Sequence, residues 1–220
     1  MEHHAPLDLL IATRNPGKIL EIREMLSGLE IKLRTLDEFP DIIPVDEVGV
    51  TYIDNASLKA VGYARQTGTC ALADDSGLEV EALSGKPGVF SARFGGPNLS
   101  DSERTEKLLL AISDSGFQRS ARFVCAMAFA GWLTEEPQGS EPQLLHLTEG
   151  TCDGHIATQA HGSQGFGFDP VFIPHGYSQT FAELPSEVKS HISHRAVALA
   201  KMRLFLGDLP LKLDRAVRRP

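Results

Sequence analysis

What this chain lacks narrows it first. No cluster of Lys or Arg occurs before the last few residues, and the formal net charge is −8, which argues against a nucleic-acid groove. An anionic ligand therefore needs local basic residues or a metal ion. The three cysteines, Cys70, Cys125 and Cys152, are odd in number and scattered. They form neither a disulfide framework nor a zinc-ligand spacing and read as buried free thiols. No apolar run reaches the length of a bilayer span, and the start, MEHHAPLDLL, lacks the basic region, apolar core and cleavage site of a secretory signal. The expectation is a soluble cytoplasmic protein, with no function assigned to His3 or His4. Repeats, low-complexity tracts and clear linkers are missing as well. What is present, 220 residues of which 42% are hydrophobic, is enough to bury a sizeable core, so residues 1–220 read as a single α/β domain with two lobes.

The densest stretch, Cys70 to Leu83, is CALADDSGLEVEAL. A short apolar run delivers Asp74 and Asp75 to a Ser76-Gly77 turn, after which apolar alternation resumes at Leu78, Val80 and Leu83. Neighbouring carboxylates repel, and a hard cation with oxygen ligands relieves them; an Asp-rich turn capping its own backbone is the plainer reading. Upstream, the strand Leu7–Ala12 leads into Thr13-Arg14-Asn15-Pro16-Gly17-Lys18 and a helix. Asn15 fits the N-cap and Pro16 the first helical position, and Ile19, Ile22, Met25, Leu26 and Leu29 form one face. An open helix N-terminus with basic residues around it suits a phosphate. It is not a Walker loop, because Ile19 stands where such a loop has Ser or Thr. A capped helix with a solvated lysine explains the segment equally well.

A second acidic pair, Asp46 and Glu47, precedes the helix that opens at Thr51-Tyr-Ile-Asp-Asn-Ala. The pair reads either as solvated loop charge or as further oxygen ligands for a cation near Asp75. This helix is expected to bury Ile53, Ala56, Leu58, Ala60, Val61 and Ala64, with an imperfect period, and to close at Gly68. Ser100 to Glu103 forms a capping box for a helix ending near Ser115-Gly116. Alternation over Ala121–Ala130 and Gln143–Thr148 predicts two antiparallel strands, and Thr151–Ala157 a further one. The sheet is then mixed, flanked by helices.

Near the C-terminus, Gly165-Phe166-Gly167-Phe168-Asp169 sets two rings between glycines, where they can stack on a flat ligand, although core packing is the alternative for each phenylalanine and the better one for Phe172. Ser193 fits the N-cap of the last helix, which puts His194 and Arg195 in its first turn. Basic residues there oppose the helix dipole, a local cost that makes sense if they, with Lys189, meet an anionic or carbonyl-bearing ligand.

IATRNPGK, TYIDNASLKA, LADDSGLEVEALSGKPGVFSARFGG, GFGFDPVF and ELPSEVKSHISHRAVAL, in this order from residue 10 to about 200, resemble the inosine/xanthosine triphosphate pyrophosphatases. The resemblance implies a two-lobed mixed α/β fold with a central cleft, a homodimer, Mg²⁺ dependence, and hydrolysis of ITP, dITP or XTP to the monophosphate and pyrophosphate, which clears deaminated purines from the nucleotide pool. It implies that Thr13, Arg14, Asn15, Pro16, Gly17 and Lys18 hold the triphosphate, that Asp75 binds metal and acts as general base, and that Ser76 touches substrate. Phe166, Gly167, Phe168, Asp169, Lys189, His194 and Arg195 would form the nucleoside side, and Glu47, favoured over Asp46, a metal position. Departures from the family pattern are Arg14 in place of a small residue, Asp54 in place of Glu, and Phe168 in place of Tyr. The rivals are a nucleotide-binding module, which has no need of Asp74 and Asp75, and a phosphomonoesterase, whose paired aspartates are spaced differently.

Overall fold

The computed structural model describes residues 6–113, 118–132 and 140–209. Six strands form one mixed sheet in the order β2-β1-β3-β4-β5-β6, made of β1 (Leu7–Ile11), β2 (Ile31–Thr35), β3 (Cys70–Val80), β4 (Ser120–Gly131), β5 (Gln143–Ile156) and β6 (Phe172–Pro174). Among the described residues the α-helices are α1 (Pro16–Met25), α2 (Tyr52–Thr67), α3 (Asp101–Ala111), α4 (Ser186–Ile192) and α5 (His194–Gly207). Two compact units emerge. One comprises Met1–Asp75, Ala126–Thr148 and Ala198–Pro220, the other Ser76–Cys125 and Glu149–Val197.

In the first unit β1 pairs in parallel with β2 and with β3. Parallel strands covered on both faces need continuous apolar runs, and Leu9, Leu10 and Ile11 of β1 are fully buried, each burial stabilising by roughly 1.5–3 kcal/mol. Just past the register Ile11↔Leu72, Ala12 N donates to Leu72 O at 2.8 Å and Lys18 of α1 reaches Asp74, so the start of α1 lies beside the acidic pair. Asn15 caps α1 as expected, its Oδ1 accepting from Gly17 N at 2.9 Å and Lys18 N at 3.2 Å. Helix α2 ends on Gly68 in the left-handed region (φ 64°), where a side chain would be strained.

The second unit is built on Leu78, Val80, Leu108, Ile112, Phe123, Phe168, Phe172 and Phe181. β5 pairs antiparallel with β6, Gly154↔Pro174 to Ile156↔Phe172. The Phe123 and Phe172 rings pack at 4.6 Å, so Phe172 is core. Ser100 caps α3 through the expected box with Glu103, and Ser193 Oγ accepts from Ala196 N at 3.1 Å at the start of α5.

Three sequence expectations are corrected. β3 does not stop at the acidic pair: Ser76-Gly77 is extended strand within Cys70–Val80, because the ammonium groups of Lys18 and Lys59 compensate the buried carboxylates and no turn is needed to expose them. Gln143–Thr148 and Thr151–Ala157 are one long strand, β5; alternating burial continues through Gly150 and removes the break. On α2, Leu58 is exposed and Asn55 and Lys59 are buried in its place, for the reason given below. The end expected near Ser115-Gly116 lies outside the described residues.

Candidate active site

The first cluster grows from β3. Asp74 and Asp75 are both buried, yet each has a cation close by. Lys18 Nζ lies 2.9 Å from Asp74 Oδ2. Lys59 Nζ lies 3.8 Å from Asp75 Oδ1 and 3.2 Å from Glu47 Oε1, and the amide of Asn55 donates from Nδ2 to Asp75 Oδ2 at 3.1 Å. Asn55 Oδ1 in turn accepts from Gly49 N at 2.8 Å. A main-chain N–H can only donate, so it fixes which end of the amide meets Asp75. Gly49 has no room for more: a Cβ there would stand 2.5 Å from Asp54 Cβ and 2.7 Å from Asn55 Oδ1.

Burial pushes the Asp75 carboxyl above the ordinary carboxylate range, Lys59 and the Asn55 hydrogen bond pull it back, and the Glu47 charge pushes it up again. A carboxyl balanced this way, beside a second one, suits a general base. The donor chemistry also fits a hard divalent ion. Glu47 and Asp75 already share one cation, the ammonium of Lys59, and both offer oxygen. Among the described residues no group of three or more His, Cys, Asp or Glu is assembled to hold a metal. Asp46 is exposed; of the two acidic loop residues, Glu47 is the one the structure brings to Lys59 and Asp75.

The N–H groups at the start of α1 are not open. Asn15 Oδ1 takes those of Gly17 and Lys18, and Thr13 Oγ1 accepts from Asn15 N at 3.2 Å. The segment therefore offers the side chains of Lys18 and the exposed Arg14, with the helix dipole behind them, in place of the bare main-chain donors expected from the sequence.

The second cluster lies within the other unit. Lys189 Nζ is 2.6 Å from Asp169 Oδ2, both groups buried; removing one partner of such a pair strands the other's charge, at a cost of about 3–5 kcal/mol. Asp169 Oδ2 also accepts from Phe166 N at 2.9 Å. Gly165, at φ 76°, lets that loop close, since a side chain there would overlap the Asp169 carboxylate. The Phe166 ring is half-buried, with Lys189 Nζ 4.7 Å and the Arg195 guanidinium 5.6 Å from its centroid, within the range of cation–π attraction. Arg195, 2% exposed, donates from Nη2 to Ser76 Oγ at 2.9 Å. The buried ring of His194 stacks on Phe123 at 4.6 Å. Phe168 is 4% exposed and meets Phe94 edge-on at 6.5 Å; it supports the loop from beneath.

Asn55 and Lys59 were given no role from sequence. The available signal was their spacing of four on a helix stripe shared with Ala56, Ala60 and Tyr63.

A mixed sheet with buried carboxylates opposed by ammonium groups in one unit, and cations gathered over an aromatic ring in the other, defines an α/β protein with two charged clusters. The chain belongs to the Ham1 family, whose sequence model matches residues 9–205. It is 42% identical over 206 residues to the dITP/XTP pyrophosphatase of Bacillus anthracis, covering 91% of this chain and 98% of that relative. It is 44% identical over 204 residues to the enzyme of the same name from Desulforamulus reducens, covering 92% and 97%. The structure of a HAM1 protein from Coxiella burnetii superposes with a TM-score of 0.79 at 39% identity, covering 92% of this chain and 99% of that one.

Proposed function

We propose that this chain hydrolyses non-canonical purine nucleoside triphosphates, dITP, XTP and ITP, at the α–β phosphoanhydride bond, giving the monophosphate and pyrophosphate with Mg²⁺ as the ion. The observation that carries the reading is Asp75: a buried carboxylate oriented by Asn55, paired to Lys59 and neighboured by Glu47. The names of the relatives supply the substrate class.

Glu47 and Asp75 would hold the ion. Bound there, it supplies charge neutralisation at the bridging and leaving oxygens and an acidified water. The remaining work falls to the chain. Asp75 Oδ1 positions the attacking water and takes its proton, while the Asn55 amide keeps Oδ2 engaged and the carboxylate in place. Lys18 and Arg14 bind phosphate oxygens, locally reversing the field of an acidic protein. Lys59, 3.2 Å from Glu47 and 3.8 Å from Asp75, would offer its ammonium to the charge that builds at phosphorus. For the nucleoside, Phe166 provides the stacking face and Ser76 and Arg195 the polar contacts, with Lys189, Asp169 and His194 beside them. A site whose buried donors pair with a 6-oxo purine rejects a base that leaves them unsatisfied.

Family resemblance also supports a homodimer, a single domain with two lobes and a cytoplasmic setting; the sedimentation coefficient of the purified protein checks the first. No helix among the described residues is long and apolar enough to cross a membrane.

The decisive experiment incubates the protein with Mg²⁺ and dITP, XTP, ITP, ATP or GTP and assays pyrophosphate against orthophosphate. Pyrophosphate from the deaminated purines, well above that from ATP and GTP, supports the reading. Orthophosphate as first product supports a phosphatase, and no product a binding module.

A further inference from the structure

The aromatic loop has an anchor in a helix that the reaction scheme does not use. Asp101, the first residue of α3, accepts from Gly167 N through Oδ2 at 2.7 Å. Thr105, one turn on and buried, aims Oγ1 at the Gly167 carbonyl at 3.4 Å. Both polar groups of one loop residue are thus addressed by one helix face, at the i, i+4 spacing that brings side chains together. The anchor is itself braced. Arg104, 9% exposed, donates to Phe94 O at 3.2 Å and Leu99 O at 2.8 Å, and its Nε lies 4.0 Å from Asp101 Oδ1. One oxygen of Asp101 is drawn towards the guanidinium, which leaves the other for Gly167. Phe94, whose carbonyl Arg104 holds, is the residue that meets Phe168.

We propose that Asp101 is a positioning residue for nucleotide binding: with Thr105, and steadied by Arg104, it fixes the Gly167 peptide and so sets the attitude of the Phe166 ring. Asp169 holds the loop from the Phe166 side, and Asp101 holds it from the other. The role deepens the reading of the active site given above and rests on it for its kinetic part. The rival explanation, an acidic residue that merely favours the helix dipole, concerns stability alone.

The test compares Asp101→Ala and Asp101→Asn with the unaltered full-length protein. In Asp101→Ala, KM for ITP rises about tenfold, the worth of one charge-assisted hydrogen bond, kcat stays within about twofold, and hydrogen exchange at the Gly167 amide accelerates. Asp101→Asn, which keeps an acceptor oxygen and loses the charge, restores most of the KM and slows the exchange again. Thr105→Val, nearly isosteric, gives a smaller KM rise in the same direction and serves if the alanine variant does not fold. Unchanged KM and exchange in Asp101→Ala, or equal KM in the alanine and asparagine variants with only a lowered melting temperature, overturns the proposal. Should the unaltered protein release no pyrophosphate from ITP, the functional reading fails, while amide exchange still decides whether Asp101 orders the loop.

Discussion

The two clusters solve opposite electrostatic problems. Around β3, the carboxylates of Glu47, Asp74 and Asp75 face the ammonium groups of Lys18 and Lys59, three negative charges against two positive, an excess that calls for a cation. Around the aromatic loop, Lys189 is paired to the Asp169 carboxylate, and Lys189 and Arg195 both lie over the Phe166 ring, so the cations here are gathered on an electron-rich face. The contrast teaches how an acidic chain keeps charge buried: one set of side chains gathers carboxylates around ammonium groups and the other gathers cations around an aromatic ring, the division of labour that the proposed function asks for.

The sharpest test of that contrast is Asp75→Asn. Loss of the proposed base is expected to lower kcat at least about 10³-fold, with the melting temperature unchanged or raised, because a carboxylate that burial disfavours becomes a neutral amide. Pyrophosphate release and a thermal melt check both halves. Lys189→Ala should act in the reverse sense, destabilising the fold by about 3 kcal/mol through the stranded Asp169 charge, as read by denaturant unfolding. A catalytic defect in that variant without loss of stability would break the comparison. Lys18→Ala is expected to raise KM about 10–100-fold, the cost of about 1.5–3 kcal/mol for one charge-assisted contact, in steady-state kinetics at saturating Mg²⁺.

Titration sharpens the first cluster further. In the metal-free protein the Asp75 carboxyl should ionise above its ordinary value of 3.8, followed by carbon-detected NMR, and Glu47→Gln should move it down by removing a like charge. The sign for stability follows. A pKa raised by folding favours the folded state at low pH, and this contribution fades as pH climbs through the raised value. The smallest effect belongs to Cys152, whose thiol burial pushes up to about 11. It should resist alkylation at pH 8 far better than in the unfolded chain, and its contribution to stability should decline between pH 9 and 11, because the unfolded thiol ionises first.

Much of this was legible in the chain itself. The caps at Asn15, Ser100 and Ser193 are local hydrogen-bond chemistry, and each forms as its neighbours dictate. The mixed sheet followed from where apolar runs were continuous and where they alternated. The continuation of β3 through Ser76-Gly77 was not legible, because whether two aspartates can be buried depends on Lys18 and Lys59, which are distant in sequence. The irregular period of α2 held the missing clue: Asn55 and Lys59 break the apolar stripe because they face Asp75. Phe166 and Phe168 look equivalent in sequence, yet a φ of 62° at the intervening Gly167 leaves Phe166 half-exposed and places Phe168 in the core. The hold of Asp101 on Gly167 spans 66 positions, beyond any local pattern.

Gly49 shows how far a small residue's influence can carry. The residues either side of it, Val48 and Val50, are 77% and 85% exposed and can drift among many side chains at little cost. A single methyl group between them would wedge against Asn55, tilt its carboxamide and unsettle an acid it never touches. The tolerance of this loop to mutation should therefore alternate sharply over three consecutive codons, with the intolerant one belonging to the residue that has no side chain at all.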